Sequence, residues 1–261
     1  MKVIITGGEG FIGKALAVCL SNLGCEVISV DRKIGIEAID FFSNDSNLNE
    51  VDCVYHLAAQ TSVFNTNHTQ IMHDNIETFM AVCDACQRVG VKLVYASSST
   101  AEPCNTTSLY GISKAFDEQY ARCYNPEAIG VRFHNVYGPE PRQGTLLWSL
   151  LAQDSVTLYN LGRNVRHFTH IDDICKGLAV LAFVTEYDAP PLVNIANPEE
   201  ITTLQLAREV RKYKPLDIEL VTKIRDFDRK EQKVNESVFT LPLSYTSVSE
   251  GIRRIFSDKE K

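Results

Sequence analysis

Tyr110 and Lys114 stand four residues apart in Tyr110-Gly111-Ile112-Ser113-Lys114. On a helix that spacing puts both side chains on one face, about 5–6 Å apart at Cβ. An ammonium there favours the phenolate and lowers a tyrosine pKa that is otherwise ~10, which makes an acid/base able to exchange protons near neutral pH. The spacing is common on solvated helices and gains meaning only if the chain also holds something that needs such a base. Thr6-Gly7-Gly8-Glu9-Gly10-Phe11-Ile12-Gly13 provides it. The stretch satisfies G-x-G-x-x-G through Gly8, Gly10 and Gly13, and G-x-x-G-x-x-G through Gly7, Gly10 and Gly13. Missing side chains let the backbone approach a pyrophosphate, and the amino end of the helix that follows would offer free N–H groups and a positive dipole. Asp31 follows at the end of the next apolar run, where a carboxylate accepts from an adenosine 2′-hydroxyl and repels a 2′-phosphate. This favours NAD over NADP, although Arg32 beside it can pair with a 2′-phosphate.

These groups need a scaffold, and the periodicity supplies one. Lys2–Thr6 and Glu26–Val30 are short β-branched runs read as buried strands, with helical spacing over Lys14–Leu23 between them. Strand, glycine turn, helix and strand within ~30 residues make a βαβ unit and call for a parallel sheet. The alternation continues with strands at Asp52–Leu57, Lys92–Ala96 and Ala128–Phe133 and helices at Asn75–Val89 and Leu109–Tyr124. Beyond Gly138-Pro139-Glu140-Pro141 it becomes less regular, with helices expected at Leu146–Gln153, Ile171–Phe183 and Thr202–Lys212. Thr202-x-x-Gln205 and Ser247-x-x-Glu250 have the form of capping boxes. The expected fold is α/β: a doubly wound parallel sheet over residues 1–137, then a smaller, partly interleaved lobe over 138–261.

Composition narrows the partners. Hydrophobic residues make up 44% and charged residues 23% of the 261, the balance of a folded globular chain. A formal charge of −7 argues against nucleic acid or an anionic membrane as main partner. No apolar run approaches the ~20 residues of a membrane span. The opening Met1–Gly7 reaches glycine too early for a signal peptide, so reduced thiols and a cytoplasmic setting are expected. Cys83-Asp84-Ala85-Cys86 has redox or zinc spacing, but no second ligand pair matches it, and two packing cysteines are the expectation. No metal is expected; Asp172-Asp173 is read as capping the helix near Ile171.

With the glycine turn, Asp31 and Tyr110-Gly111-Ile112-Ser113-Lys114 in this order, the chain resembles the extended short-chain dehydrogenase/reductases, in their NAD-dependent epimerase/dehydratase branch acting on nucleotide sugars. The likeness extends to His56-Leu57-Ala58-Ala59-Gln60-Thr61-Ser62-Val63, Asn75, Ser97-Ser98-Ser99, Arg132-Phe133-His134-Asn135-Val136-Tyr137-Gly138-Pro139 and the stretch Gly162–Asp173. It implies that Gly7, Gly10, Phe11, Ile12, Gly13, Asp31, Arg32, Leu57, Ala58, Ala59 and Asn75 hold NAD, with Asp40 the adenine-contacting acid. It makes Tyr110 the acid/base, Lys114 its activator and the anchor of the nicotinamide ribose, and Ser99 the donor to the reacting hydroxyl. Asn135 would contact a nucleotide-diphosphate sugar, and Arg166 its diphosphate, joined by Arg225 or Arg229. Helices Asn75–Val89 and Leu109–Tyr124 occupy positions that pair across a two-fold axis in similar proteins. Phe79, Val82, Phe116 and Tyr120 could equally serve such a homodimer interface or the core.

The resemblance breaks after the serine run. The family usually continues with Val-Tyr-Gly and a longer loop, whereas Thr100-Ala101-Glu102-Pro103-Cys104 reaches Tyr110 quickly, and the chain is shorter than typical members. Sugar 4,6-dehydratases place Thr-Asp-Glu where this chain has Ser99-Thr100-Ala101, and Glu102 is displaced by one residue. The expected reaction is therefore 4-epimerisation of a UDP-glucose or UDP-galactose type sugar, or its N-acetyl form. A 4,6-dehydratase, a nucleotide-sugar reductase and a non-catalytic NAD(P)-sensing protein are the alternatives.

Overall fold

Val3, Ile4 and Ile5 are all wholly buried, and successive strand side chains leave on opposite faces, so they feed two cores. Val3 and Ile5 join Leu16, Leu20, Val131, Ile174 and Leu178 on one side; Ile4 meets Val54, Phe79, Val82 and Leu93 on the other. The strand that carries them is the middle layer of three. The computed structural model describes residues 1–103, 106–184, 190–225 and 229–257.

In chain order the elements are β1 (Lys2–Thr6), α1 (Phe11–Asn22), β2 (Glu26–Val30), α2 (Ala38–Phe41), β3 (Cys53–His56), α3 (His68–Ile71), α4 (Thr78–Val89), β4 (Lys92–Ser98), α5 (Leu109–Tyr124), β5 (Ile129–Phe133), β6 (Asn135–Tyr137), α6 (Leu146–Ala152), β7 (Ser155–Leu158), β8 (Val165–His170), α7 (Ile171–Phe183), β9 (Leu192–Ile195), β10 (Glu200–Thr202), α8 (Thr203–Arg211), β11 (Asp217–Leu220), β12 (Phe239–Thr240) and α9 (Val248–Ser257). Seven strands form one parallel sheet in the order β12-β9-β5-β4-β3-β1-β2. The winding reverses between β1 and β3, so a crevice opens beyond their carboxyl ends. The doubly wound α/β fold expected from the periodicity is present.

The later half of the chain returns to this sheet. β9 and β12 extend it beyond β5, α7 lies against α1, and the Tyr55 hydroxyl donates to the Leu178 carbonyl at 3.0 Å within the core. What stands apart is a lobe built from the sheet β10-β8-β6, the pair β11-β7 and helices α6, α8 and α9. Its core holds Leu147, Leu150, Leu158, Phe168, Leu206, Val210, Ile252 and Ile255.

Several local expectations are corrected. The first helix starts at Phe11, straight after Gly10, rather than at Lys14. Asn75 does not open a helix but sits inside a π-helical stretch, Met72–Glu77, joining α3 to α4. Phe79 and Val82 are wholly buried and belong to the core rather than to any outer face. Phe116 and Tyr120 are half-buried and stack in series with Tyr124, at 5.6 and 4.5 Å between ring centres. Cys83 and Cys86 are buried packing residues on α4; burial pushes both thiols up, Cys83 to about 12. The Thr202–Gln205 capping box is complete, whereas the Glu250 carboxylate turns instead to Arg253 and Arg254. His170, not the acidic pair, caps α7, and Asp173 is a buried acceptor for the Thr246 amide at 2.7 Å. Among the described residues no group of three His, Cys, Asp or Glu side chains could hold a metal, and no helix is long and apolar enough to cross a membrane.

Candidate active site

A cleft of about 760 Å³ runs along the carboxyl ends of the sheet strands and continues between the sheet and the smaller lobe, within the size range of small-molecule sites. One end is made by the glycine turn. Gly7 has φ +69, and a Cβ there would fall 2.8 Å from the Ala58 nitrogen; a Cβ on Gly13 would fall 2.2 Å from the Gly7 carbonyl oxygen. Only glycine lets the turn press against the Leu57–Ala58 segment and against the first turn of α1. Gly10 caps α1 without a side-chain bond, so the amides of that first turn are not claimed by a capping group. Gly7, Gly10, Phe11, Ile12, Gly13, Leu57, Ala58 and Ala59 all line the cleft. This cradle fits a dinucleotide's pyrophosphate.

Asp31 lies just beyond β2, lines the same end, and accepts from the amides of Glu9 (3.0 Å) and Lys33 (2.9 Å). Arg32 also lines it, but its guanidinium is committed: two bonds to Asp74, at 2.8 and 3.1 Å, and one to Glu37 at 3.3 Å. Burial pushes the Asp74 carboxyl up, but the bonds from Arg32, His73 and Gln60 outweigh it and hold the group at about 2. Asp40 is corrected. It is exposed on α2 and absent from the cleft wall, to which that segment contributes Ile36, Glu37 and Ala38 instead.

Asn75 is also not in the wall. It is wholly buried behind it, where its Oδ1 accepts from the Gln60 amide at 2.7 Å. Its Nδ2 donates to the Gln60 carbonyl at 3.0 Å and to Ser113 Oγ at 2.9 Å. Ser113 Oγ in turn donates to the Tyr110 carbonyl at 2.8 Å. Asn75 therefore fixes the segment after β3 to the first turns of α5, the helix that carries the acid/base pair. It does so from within the π-helical stretch, where it and Asp74 are the buried residues.

At the centre of the cleft β4 ends in Ser97 and Ser98, and a 3-10 turn, Ser99–Ala101, leads toward α5. A Cβ on Gly111 would meet the Thr100 carbonyl oxygen at 2.8 Å, so the glycine of Tyr110-Gly111 is what lets α5 close onto that turn. Ser99, Tyr110 and Lys114 consequently line one cleft. Lys114 is buried, and its Nζ lies 2.8 Å from Oδ2 of the equally buried Asp117. Burial disfavours the ammonium, but Asp117 and Tyr110 outweigh it and raise the Lys114 pKa. Ser99 Oγ accepts from Gln232 Nε2 at 2.6 Å.

Glu102 turns away from this space. It pairs with Arg132 and accepts from Asn235 Nδ2 at 2.8 Å. Arg132 also holds both oxygens of Glu118 at 2.7 Å, and Ser97 Oγ donates to Glu118 at 2.5 Å. Glu102 is absent from the cleft wall.

Toward the smaller lobe the wall becomes cationic, with Arg142, Arg166, Arg225 and Arg229. Arg166 donates to the carbonyls of Val165 and Arg229 at 2.7 and 2.6 Å. The Arg225 guanidinium lies 4.3 Å from the Phe64 ring centre and 5.8 Å from that of Tyr159, a cation–π contact joining the two sides of the cleft mouth. Spacing could not choose between Arg225 and Arg229; both line the cleft. Asn135 lines it too and donates to the His167 carbonyl at 3.1 Å.

His134 faces the cleft and is held neutral. Burial, then His167 and Arg132, push it down to about 3. A histidine whose folded pKa is depressed contributes stability that is present above its ordinary 6.5 and lost as pH falls toward 3, because only the unfolded chain takes up the proton. His134→Phe is therefore expected to flatten the fall in stability between about pH 6.5 and about pH 5, by on the order of 1 kcal/mol per pH unit. Urea unfolding of the two chains at both ends of that range measures it; parallel curves would refute it.

Two residues of this centre, Asp117 and Gln232, carry no motif of their own. Asp117 could have been found, since it stands three positions after Lys114 on a helix already expected. Gln232 lies in an irregular stretch with no periodicity to direct attention to it.

The family model for the NAD dependent epimerase/dehydratase family matches residues 3–196, from β1 to the end of β9. The chain belongs to this family. Protein CapI of Staphylococcus aureus is 30% identical over 230 aligned positions, covering 69% of each chain. UDP-glucuronic acid decarboxylase 1 of Arabidopsis thaliana is 28% identical over 258 positions, covering 81% of this chain and 58% of that protein, so this member spans a little over half the length of its plant relative. The Thermus thermophilus UDP-glucose 4-epimerase, solved with NAD, superimposes with a TM-score of 0.80 over 99% of this chain and 98% of its own, at 23% identity. That last likeness supports the doubly wound α/β fold. In this member of the family the cleft is cationic toward the smaller lobe, and Ser99, Tyr110 and Lys114 all lie in its wall.

Proposed function

We propose that this family member is an NAD-dependent 4-epimerase of a UDP-sugar, inverting C4 through a transient 4-keto sugar. The observation that carries the reading is where the carboxylates lie. Among the described residues of the cleft wall they are Asp31, Glu37 and Asp74, all at the Asp31 end, and Glu102 is turned into its pair with Arg132. Eliminating water from a sugar needs a second acid/base beside the one that serves the C4 hydroxyl. At the reactive centre Tyr110 serves alone.

NAD, when bound, supplies a reversible hydride acceptor. The glycine turn, Leu57–Ala59 and Asp31 would hold it, and a 2′-phosphate would have to break Arg32 away from Asp74 and Glu37, which supports NAD over NADP. Tyr110 takes the proton of the C4 hydroxyl and gives it back when the alcohol re-forms. Ser99 donates to the C4 oxygen, with its hydroxyl oriented by the bond from Gln232. Arg166, Arg225 and Arg229 supply the charge that a sugar-nucleotide diphosphate requires.

The test is incubation of the purified chain with UDP-glucose, UDP-galactose, their N-acetyl forms and UDP-glucuronate, with products separated by chromatography. Interconversion of one C4 pair without loss of water or carbon dioxide is expected. Release of carbon dioxide from UDP-glucuronate, or a 6-deoxy-4-keto product, in place of an epimer would overturn it.

A further inference from the structure

The buried Lys114–Asp117 pair is left unexplained by this chemistry. Both side chains are within 1% of full burial, and Asp117 Oδ1 has no hydrogen-bond partner among the described residues. Apolar residues of similar size would often serve stability as well as such a pair does, so stability does not account for an acid at this position. An ammonium beside Tyr110 acts on the phenol as a full positive charge, whereas an ammonium 2.8 Å from a carboxylate acts as a dipole. The carboxylate also occupies one of the three Nζ donors and fixes where the other two point.

We propose that Asp117 is a positioning residue that sets the pH at which Tyr110 exchanges its proton, by holding Lys114 in place and cancelling part of its charge. The inference rests on Tyr110 being the acid/base of the reaction proposed above. The surrounding groups leave most of this task to Asp117. On α5 Glu118 also raises Lys114, but less than Asp117 does; burial pushes its carboxyl up to about 7, and it is held by Arg132 from β5. From α4 the Cys83 thiol is pushed up to about 12 by burial, and from β3 burial and Lys114 push His56 down to about 3, so both are neutral. Tyr95 on β4 is raised by burial and is also neutral. Burial pushes the Asp117 carboxyl up and Lys114 opposes it, leaving it at about 6. Above that pH the cancellation operates; below it Asp117 takes up a proton and the full Lys114 charge reaches Tyr110.

The experiment is an ultraviolet phenolate titration of the chain without added cofactor, in which subtracting the Tyr110→Phe spectrum isolates Tyr110. Asp117→Asn and Asp117→Leu, each referenced to its own Tyr110→Phe form, are expected to lower the Tyr110 midpoint by about one pH unit. The pH profile of kcat/KM should move the same way. An unchanged or raised midpoint in either variant overturns the inference. Should both variants fail to fold, the wild type decides: a Tyr110 midpoint below neutral pH means an uncancelled Lys114 charge and overturns it, and one above sustains it. A shifted midpoint without turnover of any UDP-sugar would sink the epimerase reading and leave this one standing; interconversion without a shift would do the reverse.

Discussion

Replacing Tyr110 by phenylalanine is expected to lower the turnover of the UDP-sugar by about 10³-fold, the middle of the range for loss of a positioned proton-transfer group, while leaving the fold unchanged. The substitution deletes one oxygen from the cleft wall. The helix that carries Tyr110 is held by contacts that do not use the phenol: the Ser108 cap, the close approach of Gly111 to Thr100, and the Asn75–Ser113 bond. Single-turnover measurement of the 4-keto sugar separates proton transfer from product release. A loss below about tenfold would move the base elsewhere, since even modest general acid–base catalysis exceeds that. Lys114→Met is the less informative change. It would strand the wholly buried Asp117 without its cation, so lost activity could not be told from lost structure.

Arg132→Leu is expected to cost the fold about 3–5 kcal/mol, the penalty for removing one member of a buried ionic cluster. Arg132 is 6% exposed and binds both oxygens of Glu118 and the carboxylate of Glu102. Its loss leaves two buried acids with only Ser97 and Asn235 to serve them. Urea unfolding at neutral pH reads the effect. Replacing Arg132, Glu118 and Glu102 together by apolar residues should recover most of it, because no charge is then stranded. A cost below about 1 kcal/mol for Arg132→Leu would show that the cluster is solvated and carries no such load.

The first βαβ unit was legible because local chemistry and tertiary role coincide there. β1 needs β-branched residues to fill two cores, the turn needs glycines to approach Ala58, and the next strand needs an acid at its end. The pairing of Tyr110 with Lys114 was legible for the same reason, as helical spacing alone places both on one face. Asp40 misled because its segment is short, and only the packed chain shows Ile36, Glu37 and Ala38 turned inward in its place. β9 and β12, of four and two residues, were invisible: neither spans enough positions to show a period, and each exists by pairing with a strand distant in sequence. Asn75 was found, but its work was hidden, since a contact with a cofactor and a bracket behind the wall ask for the same amide. Gln232 was missed for want of any local pattern.

The bond from Gln232 to Ser99 spans 133 positions, as does that from Asn235 to Glu102. During synthesis the dinucleotide cradle, Tyr110 and Lys114 leave the ribosome long before either partner is made. A chain ending at α5 therefore lacks the donor that orients Ser99. The stretch holding Gln232 and Asn235 leads into β12, which pairs with β9 at the sheet edge. The Ser99 contact is therefore completed only by a segment near the end of the chain.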